Sequence, residues 1–521
     1  MSVPWLRVLF LLLLSAAFGC AGASNMDKQT MGWIRVETED LVIRTDVDAD
    51  DAVELAKRYQ RLRTAIAQNE FPCAFERGNA PMELVILKDE RELEAIGRRY
   101  DIGFPISPPS NKLDAKTQLA MTRRGAGSYT QLFVGQLAYG AMRLCFPEAP
   151  PWFVEGMSSF YETARMEGDE LVIGMPRYAF VESNDTEPSA DIYDVHANRA
   201  LVTVIPRRRA PDFDELRRLD VEGFYRRGRK YRTPDDFIVR DSNYAGSWLA
   251  IHMFQLGEPS FADAFALYLG SLSRGVDDEQ AWKDAFGGID VAARYDDYLV
   301  EDFAMGRRPV DLSRSSEPLV TSILPVDVAL LRAQMWGWRT DAQRGESLAY
   351  IDYAAQQAPT SPEPMLYRAA WLDDRGDQAA AEGWLQQAID AAPNDPETLA
   401  TAILWYARRK DLREDRRADL DRWGETLRGS AQNSFQFQEL GEYLLRVKGD
   451  REAALEALNR ALFLDATRWR TYALAGDALR DLGRREEAIR AYYTAIGLSR
   501  TQGKRVRAAL KEEIAKLEAQ R

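Results

Sequence analysis

Apolar and polar positions divide this chain into two textures, which change over near residue 324. In the first, Trp33–Thr38 and Leu41–Thr45 carry strand character on either side of an acidic turn. Met82–Leu87 is a short continuous apolar run of the kind a buried strand shows. Between them Ala52, Leu55, Ala56, Tyr59, Leu62 and Ile66 recur at helical spacing behind Asp50 and Asp51, which supply a cap. A charged helix is expected over 90–99, and a loop over 102–110, where three prolines fall. Gln131–Leu144 predicts an apolar helix without internal proline. Pro150–Gly156 predicts a loop that enters the next helix at Glu155. Helical spacing returns at 247–254, 261–272, 278–286 and 291–303, whereas 168–243 holds few long periodic runs.

From about Leu324 the pattern becomes Ala-rich helix, repeating about every 34 residues. Gly376 precedes Ala381, Leu385 and Ala388. Gly449 precedes Ala454, Leu458 and Ala461, and Gly483 precedes Ala488, Tyr492 and Ala495. Gly337, Ala349 and Tyr353 mark an earlier unit at 327–360, and Pro393-Asn394-Asp395-Pro396 is a repeat-end turn. Small residues let two antiparallel helices approach while larger ones fill the space beside them, so this spacing is that of tetratricopeptide (TPR) repeats. The window 395–430 diverges, with a charged run from Arg408 to Arg417, and 505–521 has the polar face of a capping helix.

The first texture has its own resemblance, carried by Trp152-Phe153-Val154-Glu155-Gly156 behind the apolar helix. This W-x-x-E-G, with the opening Trp33, Val36, Thr38, Ile43 and Thr45 and the late helices, resembles the bacterial peptidase-MA-like domain over roughly residues 31–305. That domain is a gluzincin-type zinc metallopeptidase. The resemblance implies an H-E-x-x-H helix giving two zinc ligands and the general base, and a downstream glutamate as third ligand. Here Gly135 and Tyr139 stand where the histidines should be and Gln136 where the base should be. Two imidazoles one helical turn apart are what the metal needs. Glycine offers no donor, and glutamine cannot take a proton from a metal-bound water. Glu155 alone of that set remains. As a glutamate opening a helix it suits the positive helix end; a hydrogen bond to Tyr139 or Gln136 is the sharper expectation.

The chain has two histidines in all. His252 lies in an apolar helical run, the setting of a core residue. His196 lies in an acidic stretch with Asp191 and Asp194, exposed or, with Glu155, part of a rebuilt metal site. Ser158 and Ser159 lack a G-x-S-x-G elbow, and Gly125-Ala126-Gly127 lacks the lysine and third glycine of a phosphate loop.

Composition adds an address. The fractions of 46% hydrophobic and 29% charged residues describe a folded chain, long enough for two or more domains. The formal charge of −13 argues against nucleic acid as partner, the basic runs Arg207–Arg209 and Arg226–Lys230 notwithstanding. Arg7 and the short apolar run Val8–Phe18 form an export signal, and Ala17-Phe18-Gly19-Cys20 resembles a bacterial lipobox. That resemblance implies lipid on Cys20 and removal of residues 1–19. Cys73 and Cys145 are the other two cysteines, compatible with a disulfide or with two buried thiols.

The resulting expectation is an α+β gluzincin-like domain followed by an all-α TPR solenoid. The segments are a signal peptide over 1–19, a tether over 20–30, the degenerate peptidase-like domain over 31–305, a linker over 306–323 and repeats over 324–521. The function expected is non-enzymatic, needing no cofactor and no metal. The protein would be a membrane-anchored adaptor of the cell envelope, facing the periplasm or the exterior, with a protein or peptide partner in the TPR groove. A zinc metallopeptidase with a non-standard site is the alternative.

Overall fold

The computed structural model describes residues 26–39, 41–71, 82–89, 91–92, 96, 103–106, 118–122, 134–135, 138, 142, 145–146, 149–175, 211–219, 223–224 and 234–519, the last without 275, 277, 299–302, 314–315, 338–339, 410–413 and 500–503.

Its first unit is built on a mixed sheet. β1 (Ile34–Glu37), β2 (Leu41–Thr45), β3 (Met82–Leu87), β4 (Gly103–Ile106), β5 (Gln118–Thr122) and β9 (Leu319–Ser322) lie in the order β4-β5-β3-β2-β1-β9. β2, β3 and β5 run parallel, and the outer pairs are antiparallel. Side chains alternate across a strand, so each face has its own cover. Val36, Ile43, Leu84 and Ile86 share a core with Ala52, Ala56, Tyr59 and Leu62 of α1 (Ala49–Glu70). Trp33, Val85 and Leu87 instead pack with Val328, Leu331 and Met335 of α8 (Pro325–Trp336).

Three expectations are corrected here. Residues 103–106 form strand β4 rather than loop, and its Pro105 is tolerated because β4 is an edge strand, where a missing N–H breaks no inner ladder. The expected linker, 306–323, instead contributes β8 (Gly306–Pro309) and β9. β8 joins β6 (Arg165–Glu167) and β7 (Glu170–Ile173) in a second sheet. The expected tether folds at its end: residues 26–30 are helical and dock on the first repeat. The Tyr353 hydroxyl donates to Asp27 Oδ1 at 2.6 Å and the Tyr350 hydroxyl to Gln29 Oε1 at 2.6 Å. Arg332, 4% exposed, donates its Nε to the Gln29 carbonyl at 2.9 Å, pairs with Glu92, and lies over the Trp33 ring.

Helices complete the first unit: α2 (Pro151–Tyr161), α3 (Phe213–Arg218), α4 (Pro234–Leu256), α5 (Pro259–Ser273), α6 (Asp278–Phe286) and α7 (Val291–Tyr298). Trp152 of α2 sits among Phe153, Phe213, Phe254, Tyr268 and Trp282. Burying aromatic side chains of this size contributes roughly 1.5–3 kcal/mol each. No helix among the described residues is long and apolar enough to cross a membrane.

The second unit is an all-α solenoid of helix pairs. α8 pairs with α9 (Asp341–Gln357), α10 (Pro362–Asp374) with α11 (Gln378–Ala391), and α12 (Pro396–Tyr406) with α13 (Arg417–Ser430). α14 (Ser434–Tyr443) pairs with α15 (Arg451–Leu464) and α16 (Trp469–Asp481) with α17 (Arg485–Leu498), and α18 (Lys504–Glu518) caps the stack. Gly337, Gly376, Gly449 and Gly483 end first helices or their extensions at φ of +68 to +83°, a region that favours glycine. The divergent window still makes a pair, because Leu399, Ile403, Leu420, Trp423 and Leu427 keep the apolar faces.

Candidate functional site

Two places in the molecule are candidates: the helix pair around Gly135 and Glu155, and the row of first helices in the repeats.

In the helix pair, the described residues of the preceding stretch, Val134, Gly135, Ala138, Met142 and Cys145, are helical. Val134, Ala138, Met142 and Cys145 are buried one turn apart and enter the main core. Gly135 lies at the margin of this buried face, where α2 meets it. Ser158 donates its hydroxyl to the Gly135 carbonyl at 3.0 Å. A Cβ built on Gly135 would lie 2.5 Å from Glu162 Cγ and 3.0 Å from Glu162 Oε1. The place where a first histidine would project is therefore occupied by a carboxylate side chain, itself only 8% exposed. Gln136 and Tyr139 lie outside the described residues. So do His196, Asp191, Asp194 and Gly125–Gly127.

Glu155 does not open its helix. Pro150 is the N-cap, Pro151 the first helical residue, and the first turn carries no acidic residue, so Glu155 stands in the second turn, partly buried. The dipole interaction falls off within the first turn, so that account of Glu155 is set aside. The residue after it has a packing role. A Cβ on Gly156 would meet the Ser247 carbonyl oxygen at 2.6 Å and Ile251 Cγ1 at 2.8 Å, so glycine lets α2 and α4 close on one another.

At Gly135 the described residues do not fit zinc. Gly135 brings no donor, and the space beside it is filled. Among the described residues no group of three His, Cys, Asp or Glu side chains is placed to hold a metal ion. His252 is committed elsewhere. Fully buried, it has Nδ1 2.8 Å from the Tyr298 hydroxyl and Nε2 3.1 and 3.0 Å from the carbonyls of Gly174 and Ala304. Two carbonyl acceptors at Nε2 assign its proton there and leave Nδ1 to accept from Tyr298. Burial lowers its pKa to about 4, against smaller opposing effects of the two carbonyls, so the ring is a neutral brace between α4, α7 and the end of β7.

Glu162 carried no sequence signal, since it follows the recognisable motif and its burial depends on the neighbouring helix. Cys145 is disulfide-bonded, and its partner lies outside the described residues.

In the repeats, the first helices pack side by side and present a row of polar side chains. Asp327 comes from α8, Glu363 and Tyr367 from α10, and Asp395 and Glu397 from the start of α12. Asn433 and Gln436 follow at the start of α14, where they also close a capping box. Glu397 Oε2 accepts from Gln436 at 3.1 Å and from Asn433 at 3.4 Å, tying one repeat to the next. Burial raises the pKa of Glu363, and Asp327, Asp395 and Glu397 raise it further. Burial raises Glu397 and Asp327 as well. One end of the row is therefore acidic.

Behind the row lies a buried ionic node. Arg470 of α16 donates to Glu439 Oε1 at 2.6 Å and to Glu442; Arg446 reaches Glu442 at 2.8 Å, and Arg408 lies 3.3 Å from it. Both glutamates are essentially unexposed. Burial opposes the charge on Glu442, but Arg470, Arg408 and Arg446 outweigh it and hold the pKa down to about 2. At Glu439 burial wins over Arg470 and the pKa is raised. The node lies where Arg408, in the divergent window, meets the next two repeats. The helix also loosens here, into a π-turn over Leu444–Lys448.

Comparison with known proteins agrees with the second unit. The tetratricopeptide repeat family model matches residues 470–502, the α16–α17 pair. Solved structures similar to the chain include a thermophilic TPR protein of Thermus thermophilus, 18% identical over 37% of this chain and 99% of that one, with a TM-score of 0.29. Pseudomonas aeruginosa pilF is 14% identical over 37% and 91%, with a TM-score of 0.26. Yeast Tom70 is 12% identical over 66% and 67%, with a TM-score of 0.29. No curated protein matches the chain. The C-terminal part of this protein is an all-α, TPR-type solenoid.

Proposed function

We propose that this protein is a non-enzymatic adaptor of the bacterial cell envelope, exported and anchored through lipid on Cys20. Its repeats hold a protein or peptide partner along the row of first helices. Its first unit is a peptidase-MA-like domain that has lost its zinc. The observation that carries the reading is the row itself, because one or two polar side chains from each successive repeat, held by inter-repeat hydrogen bonds, make an extended surface for a partner. The filled space at Gly135 supports the loss of catalysis. The disulfide at Cys145 supports an oxidising compartment outside the cytoplasm.

Photo-crosslinking in intact cells tests this reading. A crosslinker at Glu363 or Asn433, both exposed, is expected to trap one discrete partner, and the same group at Arg460, on the second helix of its pair, to trap none. Equal adducts from both faces, or a partner captured fully by the first unit without the repeats, would overturn it.

A further inference from the structure

Seven large apolar side chains among the described residues stay well exposed, and four of them, Met31, Leu319, Val320 and Leu324, border one sheet edge. The other three, Leu267, Met305 and Phe463, fall on separate elements. All four residues of β9 are exposed, and β9 is the outermost strand of its sheet. Ile34 pairs with Ser322, and the Ile323 amide donates to the Trp33 carbonyl at 3.0 Å. This register brings Leu324 beside Gly32 and Met31. A natural edge strand is usually blunted by charge or covered, and this one carries apolar side chains instead.

The same end of the edge is where the N-terminal segment arrives. Residues 26–30 are fixed to the first repeat by Tyr350, Tyr353 and Arg332, and Met31 follows directly. Cys20 precedes Met26 by six residues, which span at most about 20 Å when fully extended. A lipid on Cys20 would therefore hold the face around Met26, which includes this edge, against the bilayer.

We infer that the β1–β9 edge is the membrane-facing surface of the anchored protein, with Met31 and Leu324 seated at the lipid headgroup boundary. This rests on the lipoprotein reading proposed above. The occupant is a lipid surface, because the short docked segment brings lipid to this edge. Apolar side chains at such a boundary bury their tips among the acyl chains while the backbone stays in the headgroup layer. The placement also orients the repeats. Leu324 is the N-cap of α8, and Asp327 stands in its first turn, so the acidic end of the partner row opens next to the membrane.

The test uses the full chain, acylated at Cys20, in vesicles of phosphatidylethanolamine and phosphatidylglycerol that contain a spin-labelled lipid. A fluorophore is placed on Leu324→Cys or, as the control, on Phe463→Cys in the fourth helix pair. Quenching several-fold stronger at position 324 than at 463 is expected, and Met31→Asp should reduce it while the protein stays vesicle-bound. Vesicle-bound protein with equal or no quenching at 324 overturns the orientation and leaves the lipoprotein reading intact. Energy transfer between labels on two copies, with no lipid quenching, assigns the edge to self-association and also overturns it. Protein that never reaches the vesicles overturns both.

Discussion

Gly476 in the repeats and Gly135 in the first unit share one geometry and differ in what fills the space. A Cβ on Gly476 would lie 2.6 Å from the Tyr492 ring, and one on Gly135 2.5 Å from Glu162. In both places a neighbouring helix has pushed a side chain into the space a Cβ would take. In the repeats the same device recurs, with Tyr443 against Gly424 and Leu458 against Gly441. In the first unit it occurs too, with Ile251 against Gly156 and Tyr295 against Gly246, and at Gly135 the side chain that fills the space is a flexible carboxylate. The difference is one of stiffness: a ring held between two helices demands the glycine opposite it, whereas a glutamate side chain can fill a space without demanding it.

Four measurements test that contrast, from the largest effect to the smallest. Arg470→Ala removes the cation that serves both Glu439 and Glu442 and leaves two buried carboxylates short of a partner. A loss of about 3–5 kcal/mol is expected in the urea transition followed by helix content. A loss below about 1 kcal/mol would mean that Arg408 and Arg446 suffice to hold the node.

His252 gives the next effect, confined to the first unit. Its folded pKa, about 4, lies below the unfolded value of about 6.5, so the unfolded state binds more protons between those limits. The stabilising contribution is complete above pH 6.5 and is lost as pH falls toward 4, by about 3 kcal/mol in all. Thermal unfolding across that range should show the slope, and His252→Gln should flatten it.

The two glycines come next. Gly476→Ala is expected to destabilise by about 1–3 kcal/mol, since an aromatic ring wedged between helices has little room to move. Gly135→Ala should cost less, because a glutamate side chain can swing aside, and Glu162→Ala in the same chain should restore most of the loss. Additive effects of the two substitutions would show that Glu162 does not fill the site in solution. The smallest expected effect is none. Elemental mass spectrometry on protein purified without chelator or histidine tag should find no stoichiometric zinc, with or without Glu155→Ala. One equivalent of zinc, lost with Glu155, would restore the peptidase alternative.

The sequence by itself determined the repeats. The spacing of Gly376, Gly449 and Gly483 and their following alanines is local, and each pair restates the same packing problem, so periodicity alone defines the helices and their turns. It also determined β1, β2, β3 and the late helices, whose apolar spacing is strong over short windows. Only the tertiary structure decided what rests on long-range contact. Edge strand β4 hides behind its proline, β9 is too short and too exposed to show a buried-strand pattern, and the docked turn at 26–30 is held by Tyr350, Tyr353 and Arg332. In the sequence Glu155 looks like a helix start because the prolines before it look like loop, whereas Pro151 is pre-shaped for a first helical position. Glu162 could not be foreseen at all. Its place depends on a side chain missing from a helix about 25 residues earlier, and absence leaves no pattern until the helices are brought together.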